Sequence, residues 1–211
     1  VTDFGIELLL ECSGLPEDRR IIRAQGAEAI NELSRWEVAF LTADQGVDLE
    51  AAIGAQAVLR LVDGRTDKVR SAGLVITDVI YEGAERAGHR YVAVLAPFEH
   101  RFTLRSGYRV FLKKGTFDIV KETLTDGGVP AKNIVPRLTG AYKERVQCIQ
   151  YSEADWAFVE RLLADEGISY WFDYEDDLGA TLVLGDTPTA HDGILPPTIL
   201  PYEDASGLVH L

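Results

Sequence analysis

The side chains here that could do chemistry are four histidines, two cysteines and two groups of acids, and their spacing decides what that chemistry could be. His89, His100, His191 and His210 are dispersed. None belongs to a His-x-x-x-His or Cys/His cluster of the kind that holds zinc, so surface or boundary positions are expected. Asp173, Glu175, Asp176 and Asp177 surround a predicted hairpin tip and could collect a hard cation such as calcium. They lack the Asp-x-Asp-x-Asp-Gly…Glu order of an EF-hand loop, which favours a solvated acidic turn. Asp165 and Glu166 have the residue types of a glycosidase acid and base. Adjacent residues at a helix end usually point in different directions, and nothing around them predicts a cleft that would raise a pKa. Trp156, Phe158, Tyr170, Trp171 and Phe172 suggest a stacking platform, but their helix and strand spacing makes them core. No Gly-x-Ser-x-Gly elbow, P-loop or dinucleotide fingerprint is present, and Gly64-Arg65-Thr66 and Gly127-Gly128 are turn chemistry. The expectation is a protein with no catalytic residue, no metal and no cofactor.

Composition says what kind of scaffold carries these residues. A chain of 211 residues, 46% of them hydrophobic, buries about 70% of its unfolded surface on folding. A formal charge of −13 argues against nucleic acid or an anionic membrane as partner. Cys12 and Cys148 are too few and too far apart for a disulfide framework, and Cys148 lies in an apolar strand-like run. No apolar run reaches membrane-spanning length and no signal peptide opens the chain. The lack of any Met suggests an excised piece.

Strand patterning dominates the first half. Phe4, Ile6, Leu8 and Leu10 alternate, as do Trp36, Val38 and Phe40, and further strands are expected over 21–26, 57–62, 74–81 and 90–96. Asp48 should cap a short helical turn that Gly54 stops. Several short strands with little helix predict a small antiparallel barrel or sandwich, closed so that no edge is exposed. From Gly115 the texture becomes mixed. Thr116 is placed to cap a helix ended by Gly127-Gly128, and Pro130 and Pro136 bracket an irregular link. A second helix should be capped by Ser152, with Asp155 answering in a shortened capping box, and stopped by Gly167. A hairpin follows, with arms at 168–174 and 180–184. Beyond Asp186 four prolines fall in a short span without periodicity, as in a linker or a surface crossing. The predicted fold class is α+β: an N-terminal antiparallel β-barrel over 1–112, a smaller α/β insertion subdomain over 113–185 and a Pro-rich exit segment over 186–211.

The stretch around the second helix carries a resemblance. Gln150, Tyr151, Glu153, Asp155, Phe158, Arg161, Leu162, Glu166, Gly167, Ile168 and Tyr170 match, offset by offset, a pattern that is similar to the signature of the N-terminal hub region of VgrG-type spike proteins of type VI secretion. The departure is Ala154, where that pattern usually has Ser. More loosely, Leu49–Gly54, Leu95–Phe98, Leu104–Phe111 and Asp118–Val120 with Leu124 resemble other segments of that family, so the likeness spans roughly residues 20 to 190.

The resemblance implies a structural hub of a contractile injection machine, similar also to the tail hub proteins of contractile phages. In that family the hub is a homotrimer whose paired barrels present quasi-sixfold symmetry to a hexameric Hcp-like tube, and spike or effector domains follow. It implies assembly in the bacterial cytoplasm and delivery outward. The implied role is mechanical, and the motif residues would be structural. Two other accounts make different demands. A glycoside or peptidoglycan hydrolase would need Asp165, Glu166 or Asp173 in a cleft, and a ligand-binding barrel would need a deep apolar cavity among the N-terminal strands.

Overall fold

A computed structural model describes residues 6–43, 45–64, 68–174 and 179–192, together with the backbone of 202–203 and 209–210. Six strands form one antiparallel sheet: β1 (Ile6–Cys12), β2 (Arg20–Ala27), β3 (Arg35–Thr42), β4 (Gln56–Asp63), β5 (Lys68–Glu85) and β6 (Gly88–Ala96), in the order β1-β4-β5-β6-β3-β2. The short helix α1 (Leu49–Ala52) precedes β4, capped as expected by the Asp48 carboxylate, which accepts from the Ala51 N–H at 3.0 Å. Gly54, at φ +82°, provides the stop.

The sheet curls because one face is apolar and its longest strand is irregular. Trp36, Val38 and Phe40 of β3 face the same interior as Leu59, Ile76, Tyr91, Ala93 and Leu95, and the rings of Phe40 and Tyr91 stack with centroids 5.6 Å apart. In β5 the register shifts between Ile76 and Asp78 and again between Tyr81 and Gly83, and each such bulge adds twist. The expected closed barrel does not form. The sheet is an open, curled half-barrel in which β1 and β2 are its two edges. The Arg19 side chain holds the β1–β2 turn against β1, its Nε and Nη2 donating to the Leu10 carbonyl at 3.0 and 2.7 Å.

After a short 3-10 helix over Phe98–Thr103, β7 (Ser106–Lys114) pairs antiparallel with β9 (Arg145–Ala154) as a two-stranded ribbon. Helices α2 (Thr116–Asp126) and α3 (Asp155–Asp165) contribute Ile119, Val120, Leu124, Phe158, Val159 and Leu162 to a second core beneath this ribbon. The hairpin expected after Gly167 is present as β10 (Ser169–Asp173) and β11 (Thr181–Gly185). The link between the two prolines is not wholly irregular. It contains β8 (Ile134–Arg137), paired parallel with β11 at the sheet edge, where Pro136 does not interrupt a central ladder. The backbone of β12 (Tyr202–Glu203) pairs with β13 (Val209–His210). Most of the Pro-rich segment lies outside the described residues, as do Phe4 and the hairpin tip of Glu175, Asp176 and Asp177. Among the described residues no helix is long and apolar enough to cross a membrane.

Two hydrogen bonds between Asn31 and Tyr170, one backbone and one side chain to backbone, join the half-barrel to the second core. Asn31, at φ +64°, donates its N–H to the Tyr170 carbonyl at 2.8 Å, and its Oδ1 accepts from the Tyr170 N–H at 2.9 Å. Ser34 and Tyr174 add a hydroxyl–hydroxyl bond alongside.

Candidate functional site

The stretch from Gln150 to Tyr170 is the best specified in the chain, and its polar residues are used on one another. Ser152 does not cap α3. It sits at φ +52°, where β9 bulges against β7 between Gly107 and Tyr108, and the strand runs on to Ala154. The helix begins two residues later than expected, with Ala154 at its N-cap position and no side-chain cap. Asp155 is 1% exposed. Its carboxylate accepts from Gln150 Nε2 at 2.7 Å and from Arg109 Nη2 at 3.0 Å, with Arg105 Nε at 3.2 Å, so one group from each strand and one from just before β7 claim the oxygen atoms that a capping box would have used.

The other signature residues divide into ion pairs and core. Arg161 grips Glu153 through Nη2 at 2.6 Å and Nε at 3.1 Å, which holds the Glu153 carboxyl below the usual carboxylate range. Glu166 accepts from Arg145 Nη2 at 2.9 Å and from the Thr116 hydroxyl at 3.0 Å. Thr116 therefore does not cap α2, whose N-cap position is Gly115; its hydroxyl bridges Arg145 and Glu166 instead. Phe158, Leu162, Ile168 and Tyr170 are buried, and Gly167 takes φ +68° at the end of α3. Trp156, 3% exposed, meets Tyr170 edge to face at 5.3 Å, and the Tyr170 hydroxyl donates to Glu160 at 2.6 Å. Tyr151 stands apart: it is 75% exposed, and its ring meets that of Tyr108 edge to face.

The residues considered for catalysis or metal binding are not brought together. Asp165 and Glu166 both pair with Arg145, at 3.3 and 2.9 Å, and no cleft opens between them. Asp173 faces Arg137 at 3.7 Å. His89 bonds the Tyr81 hydroxyl at 3.1 Å, and the His191 ring lies 4.3 Å from that of Trp171. Burial, helped by Arg35, lowers the His100 pKa. Cys12 and Cys148 are buried free thiols. Among the described residues no three His, Cys, Asp or Glu side chains converge as metal ligands would. The half-barrel interior is filled, with Val38, Phe40, Leu59, Ala93 and Leu95 all at 0% exposure.

One group had no sequence signal. Glu99, in the polar-looking run Glu99-His100-Arg101, is 2% exposed and has a carboxylate oxygen with no hydrogen-bond partner. Burial pushes its pKa up to about 7. It lines a cleft of about 240 Å³ between β4, β5 and the segment from Gly128 to Asn133.

The site thus sits on a curled antiparallel sheet that carries an α/β layer, with its charged side chains paired to one another. A family model described as phage tail baseplate hub (GPD) matches residues 27–210, and the chain belongs to that family. It is 31% identical over 204 residues to the type VI secretion system spike protein VgrG4b of Pseudomonas aeruginosa, covering 95% of this chain and 24% of that protein. With VgrG3 of Vibrio cholerae it shares 26% identity over 214 residues, covering 96% and 20%. The chain thus spans about a quarter of the length of the curated relatives it matches. Its fold is similar to that of the E. coli c3393 protein, a component of the type VI secretion system described as structurally similar to the T4 bacteriophage tail proteins gp27 and gp5. The TM-score there is 0.81 at 21% identity, over 94% of this chain and 57% of that one. A tail protein from Neisseria meningitidis shares the fold more distantly, with a TM-score of 0.58 at 10% identity over 86% and 50%.

Proposed function

We propose that this chain is the structural hub portion of a contractile injection machine's spike, coupling a hexameric tube to a trimeric puncturing tip. The family match over 27–210 carries this reading, and the likeness of the fold to the c3393 protein supports it. The partners are further copies of the chain in a homotrimer of the full-length protein, a hexameric Hcp-like tube and spike or effector domains. Assembly takes place in the bacterial cytoplasm and the machine delivers the hub outward. The work is symmetry adaptation and the transmission of thrust: repeated sheet units from three chains offer six similar surfaces to a sixfold tube. No turnover is needed. Stiffness comes from dense cores and from the paired charges around α3.

The test is an image of the tip of assembled particles containing the full-length protein. Three copies seated between tube and spike is the expected result, and a tip without this chain overturns the reading. Asp165→Asn, Glu166→Gln and Asp173→Asn together address the hydrolase alternative. Peptidoglycan cleavage that these changes abolish in a folded protein would replace the mechanical role with an enzymatic one.

A further inference from the structure

The β7–β9 ribbon is apolar on both faces. Phe111 and Cys148 turn inward onto the second core. On the outer face the register sets Tyr108 across from Tyr151, Val110 across from Ile149 and Leu112 across from Gln147. The apolar side chains of that face are 69, 60 and 61% exposed on β7 and 46 and 75% exposed on β9. The two tyrosine rings meet edge to face at 5.2 Å, which makes the face continuous across the ladder. A sheet face meant for water ordinarily alternates to polar residues. A two-stranded ribbon is also marginal by itself, and among the described residues neither outer edge of this one has a strand partner.

The size and charge of the face indicate what covers it. Five side chains of these kinds, exposed to this degree, present on the order of 600 Å², the upper end of what a monomer usually leaves bare. Two such faces together remove about 1,200 Å², the lower end of a stable protein interface. Between residues 97 and 174 eleven acidic and eleven basic side chains cancel, so the charge of −13 falls entirely outside this part of the chain. Most of the neighbouring cations are also satisfied internally: Lys114 by Glu122, Arg145 by Asp165 and Glu166, Arg161 by Glu153 and Arg109 by Asp155, which leaves Lys113 as the exposed cation of β7. An acidic partner would find little free positive charge here. Another copy of the same neutral, apolar face fits, and the acidic surfaces elsewhere discourage copies from meeting in other orientations.

We infer that the outer face of β7–β9 is the contact between copies of this chain. In the trimeric hub proposed above, on which the number of copies rests, three ribbon faces turn toward the threefold axis and cover one another. Sedimentation equilibrium on the 211-residue chain tests this, alongside Val110→Asn/Ile149→Asn and, separately, Leu112→Lys. Far-UV circular dichroism and thermal melts establish that the variants are folded. The expected result is a concentration-dependent oligomer whose association constant falls at least a hundredfold in both variants while the melts are unchanged. A dimer lost in the same way keeps the contact face and overturns the trimer. A wild-type chain that stays monomeric at several hundred micromolar overturns the inference and leaves the hub role to be judged by the particle image. An oligomer insensitive to both variants overturns it too. So does a monomer that binds purified tube protein through this face and loses that binding in the variants.

Discussion

Gln150 and Asp155, on either side of the change from strand to helix, are joined by a 2.7 Å bond from the amide to the carboxylate. With Arg109 at 3.0 Å and Arg105 at 3.2 Å, that carboxylate ties the start of α3 to both strands of the ribbon. Removing it leaves two guanidinium groups without their carboxylate, while the Gln150 amide keeps its 3.1 Å bond to the Glu153 carbonyl. The arginines are 24 and 36% exposed, so water recovers part of the loss. Asp155→Ala should therefore cost about 3 kcal/mol, the low end for breaking a buried pair, and Asp155→Asn less, since one amide oxygen still accepts. Urea melts measure both. A loss below about 1 kcal/mol for Asp155→Ala would mean that packing alone sets the start of the helix.

Trp156 fills the space between α3 and the β10–β11 hairpin, against Tyr170 and Phe172. At 3% exposure its truncation leaves a cavity that the surrounding strand and helix cannot close. Trp156→Ala is expected to cost about 3–5 kcal/mol in denaturant melts, and Trp156→Phe clearly less. A cost under about 1 kcal/mol would show that the helix face is misassigned.

Much of this architecture is legible in the residues, and what is missed has a common physical origin. Trp36, Val38 and Phe40 announce their strand through their period of two, although from Val38 to Thr42 both faces of β3 are buried. The core of α3 is legible for the corresponding helical reason. The start of α3 is not, because Ser152-Glu153-Ala154-Asp155 has the local form of a cap while the acceptor is claimed by Arg105 and Arg109, some fifty positions back in the chain. Thr116 is misread for the same reason, its hydroxyl being captured by Arg145 and Glu166. Strand spacing likewise does not reveal that the sheet stays open at β1 and β2, since closure depends on which edges meet. Of the candidate surface, no strand is expected over 106–114 from the sequence, and only the fold shows that Tyr108, Val110 and Leu112 share a side that faces solvent.

Glu99 makes stability depend on pH near neutrality. Its folded pKa is raised by burial from 4.5 to about 7. Its stabilising contribution is therefore fully present below pH 4.5 and is lost as pH rises through about 7, because the native state must then hold a buried charge. The span corresponds to about 3 kcal/mol. Glu99→Gln removes the charge and should raise the melting temperature at pH 8 while changing it little at pH 4. Melts across that range check this, and equal shifts at both ends would show that Glu99 is hydrated in solution.

Gly127 and Gly128 look like one helix stop, yet they serve two needs. Gly128 takes φ +100°, the left-handed turn after α2. Gly127 has an ordinary helical φ of −86° and serves close approach instead. A Cβ there would lie 2.1 Å from Cε1 and 2.2 Å from Cζ of Phe102, a ring at 0% exposure that packs the 3-10 helix onto the end of α2. Neither the ring nor the helix end has room to yield, so Gly127→Ala should destabilise by about 1–3 kcal/mol through overpacking. Gly107 is the control, because a Cβ there meets nothing within 4 Å. Gly107→Ala, with no steric penalty and less freedom in the unfolded chain, should be neutral or stabilise by roughly 0.5 kcal/mol. Parallel urea melts of the two variants decide the matter: similar effects would mean that Phe102 has a second rotamer and that the tight contact at Gly127 is not required.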